Sequence, residues 1–293
     1  MKKYLLVSVI ATSLLFIGAC SSEDSNVDVK KKTEIEDVYS KLNSDLDLYS
    51  QSYLALHAVS GTRSWWRRKG KAIVCGDCCG AVAGGKYGGF IGMLLGAVVG
   101  SATVAYLLER QSYVATEKCE SFTVQAYAFC PQYEGLDSIG YLHNEILSEI
   151  EMENPEIFEK TTSYDELLTA ISNKMEERNL LLSSEQKIEV QNEISAIVPN
   201  ENVLLDNETF ISHVSSVRPQ YAQQCEVIER YVATAEVLPE ENIKEYTEGY
   251  VRVVERSDLS IEEQQVLISS VVVGGNSTLL WEKVSDDTTD ALE

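Results

Sequence analysis

The sequence predicts an all-α fold: a multi-helix domain with an inserted glycine-zipper helical hairpin. Three observations predict it. Apolar residues recur at spacings of three and four through most of the chain, hydroxyl-acid pairs three residues apart open several of those stretches, and glycine returns every fourth residue from Gly76 to Gly100. With 293 residues, 44% hydrophobic and 24% charged, the chain has material for a buried core and is neither a disordered tail nor a collagen-like fibre.

The first element is an address. Lys2 and Lys3 precede an apolar run from Tyr4 to Ile17 and then small residues, so residues 1–19 read as a secretory signal peptide, not a spanning helix. Residues 20–32 are polar without apolar period and read as a flexible tether. Thr33 and Glu36 then form a capping box, and Ile35, Val38, Leu42, Leu46, Tyr49, Tyr53 and Leu56 place an amphipathic helix over about 34–58, with His57 as a partner for its C-terminal dipole.

The signal segment ends Ile17-Gly18-Ala19-Cys20, which resembles the lipobox of bacterial lipoproteins. That resemblance implies that Cys20 becomes an acylated first residue and holds the protein to membrane lipid. Two or more acyl chains anchor stably where one does not. In the same family a residue such as Ser21 after the cysteine favours the outer membrane, and Ser22-Glu23-Asp24 is similar to a short acidic surface-export signal. The expected location is therefore the cell outer membrane, lipid-anchored and surface-facing.

Residues 33–133 hold the long helix and the most unusual stretch. Arg67, Arg68 and Lys69, with Arg63 and Lys71, surround Trp65 and Trp66, a combination suited to lipid headgroup level. Behind them Gly76, Gly80, Gly84, Gly88, Gly92, Gly96 and Gly100 share one register, and Gly85 and Gly89 double it. Each glycine costs a helix about 1 kcal/mol relative to alanine, so the pattern implies a compensating close approach of two backbones. The doubled glycines flank Lys86-Tyr87 and predict a break there, giving a tight hairpin with arms of about 71–84 and 88–110. This segment, about 61–110, resembles glycine-zipper bacteriocins and the secreted glycine-zipper proteins of contact-dependent inhibition, which implies assembly or insertion. Tyr87 to Leu108 carries no charge over 22 residues, whereas the first arm carries Asp77. The sequence leaves two placements open, a hairpin buried in its own protein and a hairpin that self-associates or enters lipid.

Cysteine count leaves six beyond Cys20: Cys75, Cys78, Cys79, Cys119, Cys130 and Cys225. An even number in an exported chain permits disulfides without fixing their pairing. Cys75-Gly76-Asp77-Cys78, extended by Cys79, has the form of a thiol or metal site, but no histidine or second pair completes a zinc tetrahedron, so no metal is expected and the thiols read as small apolar side chains beside the glycines. The segment from Phe122 to Phe129 reads equally as a strand or as helix.

Residues 134–285 read as an acidic helical domain of capped helices, and 286–293 as a disordered tail. Asp137 or Ser138 opens a helix with Ile139, Leu142, Ile146, Leu147 and Ile150 on one face, Ser163 and Glu166 box the next, and Ser184 begins another with Ile188, Ile194 and Ile197. Helices over about 207–217, 220–237 and 240–256 follow, and Ser260 with Glu263 caps a last one that runs through Trp281. The phrase Gly140-Tyr141-Leu142-His143-Asn144-Glu145 resembles a G-x-L-H-N signature of uncharacterised exported helical proteins, accompanied by a later Trp-ended helix, here Ser277 to Trp281. It implies no activity. His143 and Asn144 fall beside the apolar face and are expected as buried polar residues.

Function is constrained mostly by exclusion. Residues 1–133 carry 14 basic and 12 acidic groups, so 134–293 carry the remaining 10 of 24 basic and 34 of 46 acidic groups, a net −24 that argues against nucleic acid. There is no G-x-S-x-G elbow, no H-E-x-x-H and no glycine loop followed by Lys-Ser or Lys-Thr, and hence no sign of an enzyme or of a cofactor. Three readings follow: a lipid-anchored interaction or structural protein whose protein partner is unknown, a membrane-active or self-assembling glycine-zipper protein, and, last, a thiol or metal protein.

Overall fold

The computed structural model describes residues 24–57, 70–108, 121–124, 133, 135–159, 161–198 and 207–289. Among them are nine helices and no strand: α1 (Asp24–His57), α2 (Lys71–Leu107), α3 (Ile139–Glu153), α4 (Tyr164–Glu177), α5 (Ser184–Ile197), α6 (Asn207–Val217), α7 (Ala222–Ala235), α8 (Glu240–Glu255) and α9 (Ile261–Thr289). The chain divides after Lys41 into two compact units, 1–41 and 42–293. The predicted division at 133/134 is not one of its boundaries, because the hairpin and the acidic helices bury each other's apolar faces within one unit.

Three helical segments lie at the centre of the larger unit. The two arms of α2 are buried without interruption over Ala72–Gly84 and Gly92–Ala105, and α9 is buried on every face from Leu267 to Trp281. A helix buried all round needs no amphipathic pattern, only apolar and small residues that let neighbours approach. Ser269, Ser270, Gly274, Gly275 and Ser277 supply the small ones on α9. At Gly274 a β-carbon would lie 2.8 Å from the Cys78 sulfur, and at Gly275 one would lie 2.6 Å from the Thr247 hydroxyl. The hairpin packs most extensively on α9, then on α5, with α3, α7, α4 and α6 completing the sheath.

The arms meet through the glycines as the register requires. Gly76 faces Gly100, Gly80 faces Gly96 and Gly84 faces Gly92, each pair equidistant from Gly88, and a β-carbon at Gly80, Gly84, Gly92, Gly96 or Gly100 would overlap the carbonyl oxygen of its partner. Six of the seven pair across the arms, whereas Gly88 lies at the turn and packs against Leu182, whose side chain a β-carbon there would meet at 2.6 Å. The Gly88 backbone is extended (φ −163°), and Gly89 follows in the left-handed region (φ 53°, ψ −134°), where only glycine is unstrained. The break thus falls at 88–89, and the first arm extends past its predicted end at 84 because Gly84 still has a partner in Gly92.

The helices of the acidic half follow their predicted positions closely. Ser163 and Glu166 form the reciprocal capping box, Ser260 and Glu263 bond in the same manner, and Ser183 with Gln186 caps α5 one residue before the predicted start. Ile188 points outward, contrary to its expected place on the buried face, because α5 turns Val190, Ile194 and Ile197 toward the hairpin. From Leu42 onward α1 docks on α8: the Tyr49 ring stacks on Tyr246 and occupies the notch left by Gly249, and Tyr53 donates to the Asn242 carbonyl at 3.2 Å.

Two predicted ends move. The tether reading of 20–32 is corrected from Asp24, where α1 begins, since no glycine or proline interrupts the chain between Asp24 and His57 and Thr33 lies inside the helix. The tail reading of 286–293 is corrected as far as Thr289, the end of α9. Cys20, the signal segment, Trp65, Trp66, Arg67, Arg68, Lys69, Cys119 and Cys130 lie outside the described residues.

The glycine contacts lead to a graded outcome. Gly80→Ala or Gly96→Ala pushes a methyl group into a backbone carbonyl that cannot rotate away, at a cost of about 2–4 kcal/mol. Gly89→Ala meets open space and is left only with the left-handed backbone, at about 1–2 kcal/mol. Urea unfolding of the three variants should rank them in that order, and equal midpoints would refute close arm-to-arm contact.

Candidate functional site

The close approach at Gly76 and Gly100 brings their neighbours Asp77 and Ser101 to one side of the hairpin, deep in the protein. Around them converge the polar residues of α9 and α3. Ser277 donates its hydroxyl to Asp77 Oδ2, Trp281 donates its indole N–H to the Ser101 hydroxyl at 3.2 Å, and His143 Nε2 stands 3.8 Å from Asp77 Oδ2. Asp77, Ser101, His143 and Ser277 are each wholly buried.

A second branch runs from His143 to Asn276. The histidine Nδ1 bonds Asn144 Oδ1 at 3.0 Å, the Asn144 amide donates to the Asn276 carbonyl at 2.9 Å, and the Asn276 side chain exchanges bonds with the backbone of Phe122 at 2.9 and 3.1 Å. Because Asn144 Oδ1 can only accept, the proton of a neutral His143 sits on Nδ1 and leaves Nε2 as a bare acceptor toward Asp77. Gly140 completes the arrangement, since any β-carbon there would overlap the Asn276 side chain. The G-x-L-H-N phrase therefore has a physical meaning in this fold: a gap for Asn276, then a histidine oriented by its neighbour Asn144, which in turn ties α3 to α9.

Burial sets the charge state. Desolvation raises the Asp77 carboxyl from 3.8 to about 8, the hydroxyls of Ser277 and Ser101 offsetting only part of it. Desolvation lowers His143 from 6.5 to about 4, against a smaller opposing effect of Asn144. At neutral pH both groups are uncharged, so their 3.8 Å proximity is not an ion pair. Asp77 Oδ1 and His143 Nε2 have no hydrogen-bond partner among the described residues.

An aspartate, a histidine and a serine close together invite comparison with nucleophilic catalysis, and the order of bonds is wrong for it. There the base bonds the nucleophile and the acid orients the base. Here Ser277 bonds the acid, the histidine is oriented by an amide, and no atom of the group reaches solvent. The arrangement holds a proton in the core and joins three elements.

The thiols form a separate buried group. Cys75, Cys78, Cys79 and Cys225 are buried thiols, Cys78 donates to the Ser270 carbonyl at 3.1 Å, and the Cys79 and Cys225 sulfurs are 3.9 Å apart. Burial pushes the Cys75 and Cys78 thiols well up, and at Cys79 the hydrogen bond with Cys225 comes first, ahead of burial. No three histidine, cysteine or acidic side chains among the described residues are grouped so as to hold a metal ion.

Sequence reasoning placed His143 and Asn144 as buried polar residues, and the structure puts both in this core. It missed Asn276 as the partner of Asn144, Ser277 as the partner of Asp77, Ser101 as the partner of Trp281, and Cys225 as the neighbour of Cys79. The available signal was Asp77 itself, an acid within an apolar glycine run that has to be neutral or partnered wherever it is buried. Comparison with known protein families, with curated proteins and with solved structures finds no match to this chain.

The two buried groups give a distinctive pH dependence. Asp77, with its raised pKa, contributes stability below 3.8 that is lost as pH rises to about 8; His143, with its lowered pKa, contributes stability above 6.5 that is lost as pH falls to about 4. Between about 4 and 6.5 folded and unfolded chains each hold one proton on the pair, and the two dependences cancel. From 6.5 to 8 the folded state alone keeps its proton, so stability falls by ~1.4 kcal/mol per pH unit. Urea unfolding at pH 6.5 and 8 should show that drop in the native chain and not in Asp77→Asn. The same drop in both would mean that Asp77 is ionised.

Proposed function

We propose that the chain is a lipid-anchored exported protein of the cell outer membrane, held by an acyl group on Cys20, that acts as a structural or interaction protein and offers its acidic helices to a protein partner. The observation that supports this reading is the burial of the hairpin. Six zipper glycines are occupied by one another, and α9, α5, α3 and α7 cover what remains. A hairpin so enclosed has no free glycine face for self-association and no need of lipid. The buried polar core, sealed from solvent, and the absence of a catalytic motif speak for binding over catalysis.

The runner-up is a membrane-active protein. Among the described residues α2 is the one helix long and apolar enough to cross a membrane, and its turn, Lys86 to Ile91, is partly exposed. Insertion would begin there, with Lys86 and Phe90 leading. It would require the arms to leave the sheath with a neutral Asp77.

Vesicle binding separates the two. A purified chain beginning at Ser21, which lacks the acylated cysteine, should remain in the supernatant with neutral and anionic liposomes and release no trapped dye. Binding with release, both abolished by Gly92→Leu while the circular dichroism of the helices persists, would overturn the structural reading in favour of insertion.

A further inference from the structure

The thiol pair between the hairpin and α7 has no part in the function proposed above. Cys79 lies on the first arm beside Gly80, and Cys225 on α7, 146 residues further along the chain. Their sulfurs are in van der Waals contact at 3.9 Å, and both side chains are sealed from solvent. A disulfide holds its sulfurs about 2 Å apart, so two sulfurs already in contact across the interface have only about 2 Å left to close. The other thiols of the cluster are placed differently. Cys78 is turned toward α9, where it bonds the Ser270 carbonyl and fills the notch at Gly274. Cys75 shares a helix face with Cys79 one turn earlier and is the competing partner.

We propose that Cys79 and Cys225 are the two halves of an inter-helix disulfide, selected by the native packing and formed while the chain folds. The proposal rests on the export reading only for the supply of oxidant. Each thiol gives up its proton and the pair gives up two electrons to a small-molecule or protein disulfide, which leaves as two thiols, while one sulfur-sulfur bond forms in the protein. In exchange a thiolate attacks a disulfide sulfur, and in the finished fold both sulfurs are sealed from any disulfide that could accept the attack, so oxidation belongs to the folding chain. Once made, the bond closes a very long loop and ties the first arm to α7. The arm then cannot leave the bundle without reduction.

The full chain, expressed with its leader in a Gram-negative host, is alkylated at lysis, digested without reductant and examined by mass spectrometry. In parallel, reduced unfolded protein is refolded with oxidised glutathione and treated in the same way. The expected result is a peptide containing Cys79 joined to one containing Cys225 in both samples. The link should survive in Cys75→Ala and vanish in Cys79→Ala, and reductant should lower the thermal midpoint by about 10 °C. Since Cys75 and Cys79 share a peptide, fragmentation of the wild-type linked species assigns the sulfur even where a variant fails to fold. Free thiols after oxidative refolding, or a bond from Cys225 to Cys75, would overturn the proposal. A link that forms on refolding but is absent from the expressed chain would leave the pairing standing and count against export.

Discussion

Backbone contact between the two arms of the hairpin is the constraint from which the rest of the structure follows. Glycine within a helix is a loss in isolation, recovered only where a second backbone takes the space of the missing side chain. Once Gly80 touches Gly96 and Gly84 touches Gly92, the arms form a narrow apolar rod with little side-chain bulk on its inner face and Val, Ile, Leu, Ala and Cys on its outer faces. Such a rod must be covered. The sheath of amphipathic helices, and the placing of α9 as a third central segment, are consequences of that requirement.

The same contact explains why polar residues can lie so deep. Asp77 and Ser101 are neighbours of a glycine pair and meet because the backbones do. With Ser277, His143, Asn144, Asn276 and Trp281 they form a hydrogen-bonded core in which the carboxyl and the imidazole are both uncharged. An apolar core tolerates sliding of helices along one another, whereas a polar group whose partners are fixed tolerates none. The polar core thus sets how far along the hairpin α9 and α3 sit, a specification that valine and leucine contacts on the same helices leave loose.

Legibility in the sequence followed the range of each interaction. Elements ruled by neighbours within four residues were readable: the capping boxes at Ser163 and Ser260, the buried faces of α3 and α4, and the hairpin break between doubled glycines. Ile188 was misjudged because α5 presents a different face to the hairpin from the one its spacing suggests. Helix α1 starts within the polar stretch because a lack of apolar residues does not prevent helix, and charged residues such as Lys30 to Lys32 are good helix formers. His143 and Asn144 were readable as buried, but the partners were not, since Asp77 and Ser277 are 200 residues apart and their meeting depends on the path of the whole chain. The division at 133/134 failed for a related reason. A shift in charge marks which residues face water, and here the hairpin is enclosed by the acidic helices.

The register of the hairpin has a further consequence for how such a chain can change over generations. Its glycine pairs are mirror positions about Gly88, so each arm is measured from the turn. A point substitution is felt at one rung, but the loss or gain of a single residue between Gly76 and Gly88 displaces every rung beyond it against an unaltered opposite arm. The length of the hairpin can therefore vary only in matched steps of four on both sides. The two arms are bound to one count.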